Sequence, residues 1–227
     1  APHSIGGTCI RNSRRTTPEV IQELENVMNT LTPRKLSLSD IADVRAYERE
    51  RSEFKDRVIA LKERRRLSLG TIVSVMFENR DTIRYQIQEM SRVERLSTDE
   101  EIQGEIDIYN PMIPEPGQLC ATLFIELTSE EQMQEWLPKL VGIESSIVFR
   151  LADGREVAAI TEAQHESQLT RDYVTAAVHY LQFAFSPDDI EGLAKGGAVL
   201  ACTHPDYLEE IALSPANLAE FLNDLRA

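Results

Sequence analysis

The chain has 227 residues, 42% hydrophobic and 27% charged, enough to bury a core without disulfide or metal staples. Its 24 Lys and Arg against 38 Asp and Glu leave a formal net charge of −14, which works against binding nucleic acid or anionic membrane surfaces. Long apolar runs are missing, so no membrane-spanning helix is expected, and the opening APHSIGGTCIRNSRR lacks the apolar stretch of a secretion signal, which makes the cytoplasm the expected location.

Residues 1–16 read as a tail, with Cys9 exposed in a basic, Gly-containing segment. Thr17, Pro18 and Glu19 then start a helix whose stripe is Val20, Leu24, Val27, Met28 and Leu31. Together these form an N-terminal extension, 1–33, ahead of a single domain over 34–227. Ser37 with Asp40 resembles a capping box, and Leu36 with Ile41 a hydrophobic staple. The stripes Ile41/Val44/Tyr47 and Phe54/Val58/Leu61, split by a polar stretch, predict two helices or one bent one. KERRR at 62–66 sits at the helix end, where cations complement the dipole. TIVSVMFE alternates as a strand ending in Glu78, and Asp81 is placed to cap a helix over 80–95. Thr98 and Glu101 form another capping box for a helix with Ile102, Ile106 and Tyr109 inward. The Pro-rich NPMIPEPG, 110–117, is a possible internal boundary.

Beyond it the pattern becomes β-rich. QLCATLFIEL is a strand, and Thr128 with Glu131 caps a short helix. SSIVFRLADGREVAAIT is a hairpin turning at Asp153-Gly154. EAQHESQLTRD is polar and loop-like, and YVTAAVHYLQFAF is the longest strand candidate. Ser186-Pro187 starts a helix that stops at Gly196-Gly197; AVLACT and YLEEIAL flank HPD as two strands; Ser214-Pro215 starts the last helix. Strands are not separated by helices long enough for regular crossovers. The expected class is therefore α+β: a helical N-terminal part, then a mostly antiparallel sheet, sandwich or barrel-like, with short helices. Cys120 and Cys202 fall in apolar strand runs as inert thiols, and no C-x-x-C, P-loop, G-x-G-x-x-G, H-E-x-x-H or G-x-S-x-G occurs.

The helix after the first strand is the feature with chemical potential. At about 100° per residue, Ile83, Ile87, Met90 and Val93 share one side, and Arg80, Arg84, Gln88, Arg92 and Arg95 another. Glu94 falls beside the apolar stripe, where an ionised carboxylate needs a partner. Three readings stay open: a solvated face paired with the acidic TDEEIQGEID, a protein contact, or an anion pocket in which arginine forks grip a carboxylate or phosphate and Glu78 orients one of them. The candidate ligand-binding set is Glu78, Arg80, Arg84, Gln88, Arg92 and Glu94. His179 alternates with Leu181 and Phe183 and reads as a core histidine, while His204-Pro205 reads as a turn. No ligand spacing supports a metal site; His179 and His204, with carboxylates such as Glu78 or Glu94, are the candidates if there is one. No cofactor is expected.

RKLSLSDI, FKDRVIALKERRR, FENRDTIRYQIQEMSRVER, IDIYNPMIPEPGQLCATLFIEL, LVGIES, AVHYLQFAF and THPDY together resemble the bacterial and archaeal domain of unknown function 3501, from about Arg34 to the C-terminus. Members are typically encoded beside rubrerythrin-like proteins and iron–sulfur or flavin oxidoreductases. The resemblance therefore implies an accessory protein that docks such an oxidoreductase in redox or peroxide-defence metabolism. The alternatives are a small-molecule anion-binding protein or enzyme built on the Arg/Glu set, and a metalloprotein.

Overall fold

The computed structural model describes residues 34–161 and 174–227. The helix expected at 17–31 and the polar loop expected at 162–172 lie outside them.

Two antiparallel four-stranded sheets make up the β part. The first has the order β1 (Arg66–Leu69), β2 (Val73–Glu78), β3 (Gln118–Ile125), β6 (Val178–Ala184). The second runs β5 (Glu156–Ala158), β4 (Ile147–Arg150), β7 (Val199–His204), β8 (Tyr207–Ala212). The expected α+β class holds, as a two-sheet sandwich and not a closed barrel among the described residues. Alternation supplies the shared core: Val73, Val75 and Phe77 of β2 and Leu119, Ala121 and Leu123 of β3 meet Ile147, Phe149 and Leu200 of the second sheet. Phe77 and Phe149 lie 5.6 Å apart between ring centroids, and helix α6 (Pro215–Arg226) adds Phe221 at 4.4 Å from Phe77.

The other face of the first sheet is covered, which is why all six residues of β2 are buried. Its cover is α1 (Val44–Glu63), α2 (Arg80–Glu94) and α3 (Asp99–Tyr109), with a smaller core of Leu36, Ile41, Ile83, Ile87, Ile106 and Ile113. The Ser37–Asp40 capping box is present, yet it closes only a single 3₁₀ turn, Leu38–Asp40. Asp43 caps α1, which runs unbroken for 20 residues. Asn79, not Asp81, caps α2 because its side chain accepts from the backbone N–H groups of Asp81 and Thr82. Thr98 and Glu101 reciprocate at α3 as expected. Residues 110–117 tie α3 to β3: Ile113 is buried, and the Ile113 and Pro114 carbonyls accept from Lys35 and Arg34.

KERRR is only partly a helix end. Lys62 sits in the last turn of α1, but Arg65 is fully buried and Arg66 opens β1, a strand whose short RLSL run carried too little periodicity to be read. Gly70, at φ 65°, turns β1 into β2, and a Cβ there would lie 2.5 Å from the Tyr207 hydroxyl. That hydroxyl donates to the Leu69 carbonyl at 2.7 Å and so ties the two sheets together. Among the described residues there are also two shorter helices, α4 (Glu130–Trp136), capped by Ser129 and not Thr128, and α5 (Pro187–Ala194).

Candidate functional site

On the α2 face, the chain itself occupies the arginines. Arg80 reaches the Asp40 carboxylate at 2.5 Å. The Arg84 Nε donates to the Asp40 carbonyl at 2.8 Å, its Nη2 to Glu50 at 3.3 Å, and its guanidinium lies 4.8 Å from the Phe54 ring centroid. Gln88 closes a two-way bond with Ala42, accepting from its N–H at 2.7 Å and donating to its carbonyl at 3.1 Å. These three side chains fasten the segment before α1 onto α2. Arg92 sits looser, 3.6 Å from Glu48 and 3.7 Å from Glu89, and its Nε and the Ser91 Oγ are buried without hydrogen-bond partners beside a cavity of about 270 Å³. Glu94 is exposed, as is Val93, because α2 leaves the core in its last turn and ends on Arg95 at φ 59°.

Two further ionic clusters do structural work, and neither figured among the candidate sites. Arg65 donates to the Phe77 carbonyl at 2.8 Å, the Glu78 carbonyl at 3.1 Å and Glu220 at 3.2 Å, and pairs closely with Asp224. Burial pushes the Asp224 carboxyl above its usual range, against the pull of Arg65. Glu89 receives Arg51 on both oxygens, at 2.7 and 2.9 Å, and the Tyr47 hydroxyl at 2.6 Å. Arg51 is the main reason that its carboxyl falls to about 2.

Glu78 points elsewhere than expected. Its carboxylate accepts from the Thr82 hydroxyl at 2.5 Å and the Thr122 hydroxyl at 3.0 Å on the helix-covered face of the first sheet. There it lines a cavity of about 320 Å³, with Lys62 and Arg66 at the same cavity's wall. The register explains the layout: Glu78 stands opposite Cys120, and Thr122 opposite Met76 and Tyr180, so one polar strip crosses β2, β3 and β6.

A second cavity, about 180 Å³, adjoins this one and shares Tyr109, Met112 and Tyr180 with it. It reaches the edge of β6, where residues from both faces of that strand line it. Ile108 and Ile160, more than half exposed, stand at its wall with Cys120 and Gln182. Burial raises the Cys120 thiol to about 11 and raises the Tyr180 hydroxyl and the Cys202 thiol, so these thiols are weak nucleophiles.

The same cavity is lined by Glu144 and His179, which are 2% and 3% exposed. Gly142, at φ 88°, turns the chain into a 3₁₀ segment, Ile143–Ser146; Ile143 is buried in the sandwich core and Glu144 follows it. His179 lies on β6 in alternation with buried Leu181 and Phe183, the placement expected of it. Its Nε2 is 2.8 Å from the Ala176 carbonyl oxygen and 2.9 Å from the Thr175 hydroxyl. A carbonyl only accepts, so Nε2 carries the proton. Its Nδ1 is 3.8 Å from Glu144 Oε2, within ion-pair range but beyond a hydrogen bond, and that Oε2 has no hydrogen-bond partner.

His204 differs: its Nε2 lies 3.1 Å from the Val141 carbonyl, and its Nδ1 accepts from the Asp206 N–H at 3.2 Å, so both nitrogens are used. Among the described residues no group of three or more His, Cys, Asp or Glu is placed to hold a metal ion.

The chain belongs to the family described as protein of unknown function (DUF3501), which matches residues 35–225. Among solved structures it is similar to a novel protein of unknown function from Burkholderia pseudomallei K96243, with 35% identity, a TM-score of 0.77, and coverage of 84% of this chain and 99% of that one. No curated protein matches.

Proposed function

We propose that the protein binds a small, largely apolar molecule at the β6 edge of the first sheet, with Glu144 and His179 as its polar anchor. One observation carries this reading: a buried carboxylate oxygen without a hydrogen bond, on a residue that lines a cavity, beside a histidine nitrogen too distant to serve it. Leaving such an atom unsatisfied costs about 1–3 kcal/mol or more, a cost retained where a ligand supplies the missing bond. Apolar walls with a few convergent polar groups are what small-molecule sites share. A fragment screen read by chemical shifts tests it: hits should perturb Glu144, His179, Tyr180 and Ile160. Hits confined to the α2 face would instead favour an anion pocket of Arg80, Arg84 and Arg92.

A second reading is the accessory role beside a rubrerythrin-like or other oxidoreductase that the family resemblance implies, for a cytoplasmic protein whose thiols stay reduced. Exposed Ile108, Ile160, Val178 and Tyr180 support it by offering apolar area near the cavity mouth. Co-purification with an oxidoreductase encoded beside this chain should weaken when Ile108 and Ile160 are changed to Ser; indifference to both changes removes that surface from the contact.

A further inference from the structure

We infer that the ligand of the β6-edge cavity presents an N–H-rich donor group, a primary amine, ammonium or amidine, on a compact apolar body. The inference rests on the binding role proposed for Glu144 and His179. It follows from what each of the two atoms can do.

The Ala176 carbonyl fixes the proton on His179 Nε2. A neutral imidazole with Nε2–H offers only a lone pair at Nδ1. Glu144 Oε2, as a carboxylate oxygen, also offers only lone pairs. With the imidazole neutral and the carboxyl ionised, two acceptors face one another across 3.8 Å, and Glu144 Oε2 receives no hydrogen bond. A hydroxyl has a single proton and can satisfy one of them. A carboxylate or phosphate has none and is repelled. One nitrogen carrying two or three protons reaches both with bonds bent only slightly.

The surroundings agree. Among the described residues lining this cavity there is no Lys or Arg, whereas Lys62 and Arg66 stand at the neighbouring one that contains Glu78. Tyr109 and Tyr180 contribute aromatic walls suited to a cation or to an apolar ring. The overall charge of −14 adds a favourable field for a cation and an unfavourable one for an anion.

The test titrates the full chain with benzylamine, benzyl alcohol and benzoate, three probes that share a ring and differ in donor capacity. Benzylamine should bind at least about tenfold more tightly than benzyl alcohol, since hydrogen bonds to charged groups exceed neutral ones, and benzoate should not bind. Glu144→Gln should remove most of the amine preference. Binding of the three without preference overturns the inference about ligand class and leaves the cavity a binding site. Failure of all three to perturb the cavity residues overturns the binding role itself. A long-range ¹H–¹⁵N spectrum of the free wild-type protein provides a check that needs no variant. It should show His179 Nδ1 unprotonated, with a shift that moves on adding benzylamine. A protonated Nδ1 in the free protein would mean a closed ion pair with Glu144, and the inference would fall.

Discussion

The α2 face and the β6 edge hold similar chemistry with opposite outcomes. At α2, Arg80, Arg84 and Gln88 are charged or polar and conspicuous, yet each is bonded to Asp40, Glu50 or the Ala42 backbone. At the β6 edge Glu144, inconspicuous in the sequence, and His179 are buried, and Glu144 Oε2 has bonding capacity left over. The difference teaches that charge density locates the joints of this fold, while unused valence locates its candidate site. Part of α2 breaks the contrast: Ser91 Oγ and Arg92 Nε are also unserved. Their cavity is bordered by Asp43, however, whose carboxylate already caps α1.

The largest expected effect is on the saturated side. Arg65→Met leaves Asp224 buried without its cation and should cost about 3–5 kcal/mol in urea-melt stability. A loss under about 1 kcal/mol would show that the cluster is not a joint.

Next comes Glu89→Gln, expected to cost about 1–2 kcal/mol at neutral pH once solvent screening is allowed for. Glu89 has a folded value near 2, depressed by Arg51 first and Tyr47 after it, against an ordinary 4.5. A depressed carboxyl contributes stability that is complete above the unfolded value and is lost as pH falls through the folded one. The gap between wild type and variant should therefore narrow from about pH 4.5 down to about 2. A gap independent of pH there would contradict the assignment.

Arg84→Ala should cost about 1 kcal/mol and leave benzylamine binding unchanged. Lost binding would return α2 to the site and erase the contrast between the two regions.

Much of this fold is legible in the residues. Alternation located β2 and β3, Asp153-Gly154 located the hairpin, and Ser-Pro pairs located α5 and α6, because local periodicity and capping chemistry act over few residues. The four-residue β1 was missed, since Arg65 and Arg66 extend the cationic run of α1, and burial of Arg65 depends on α6 more than 150 residues away. The site was legible only in part. His179 was readable as inward-facing from its alternation, and Glu78 as a strand end. Glu144 was not, although its position between the apolar Leu140-Val141 and Ile147-Val148 is a signal that a carboxylate enters a core there. The 3.8 Å gap between Glu144 and His179 joins the turn before β4 to β6, with β4 and β5 between them in the chain, and has no local trace.

The most direct measurement pairs stability with binding in Glu144→Met. Removing a buried, unserved carboxylate for an apolar side chain of similar length should leave the melting temperature unchanged or raise it, while benzylamine binding disappears. A variant that melts several degrees lower and still binds benzylamine as the wild type does would show that Glu144 holds the fold together and holds nothing else.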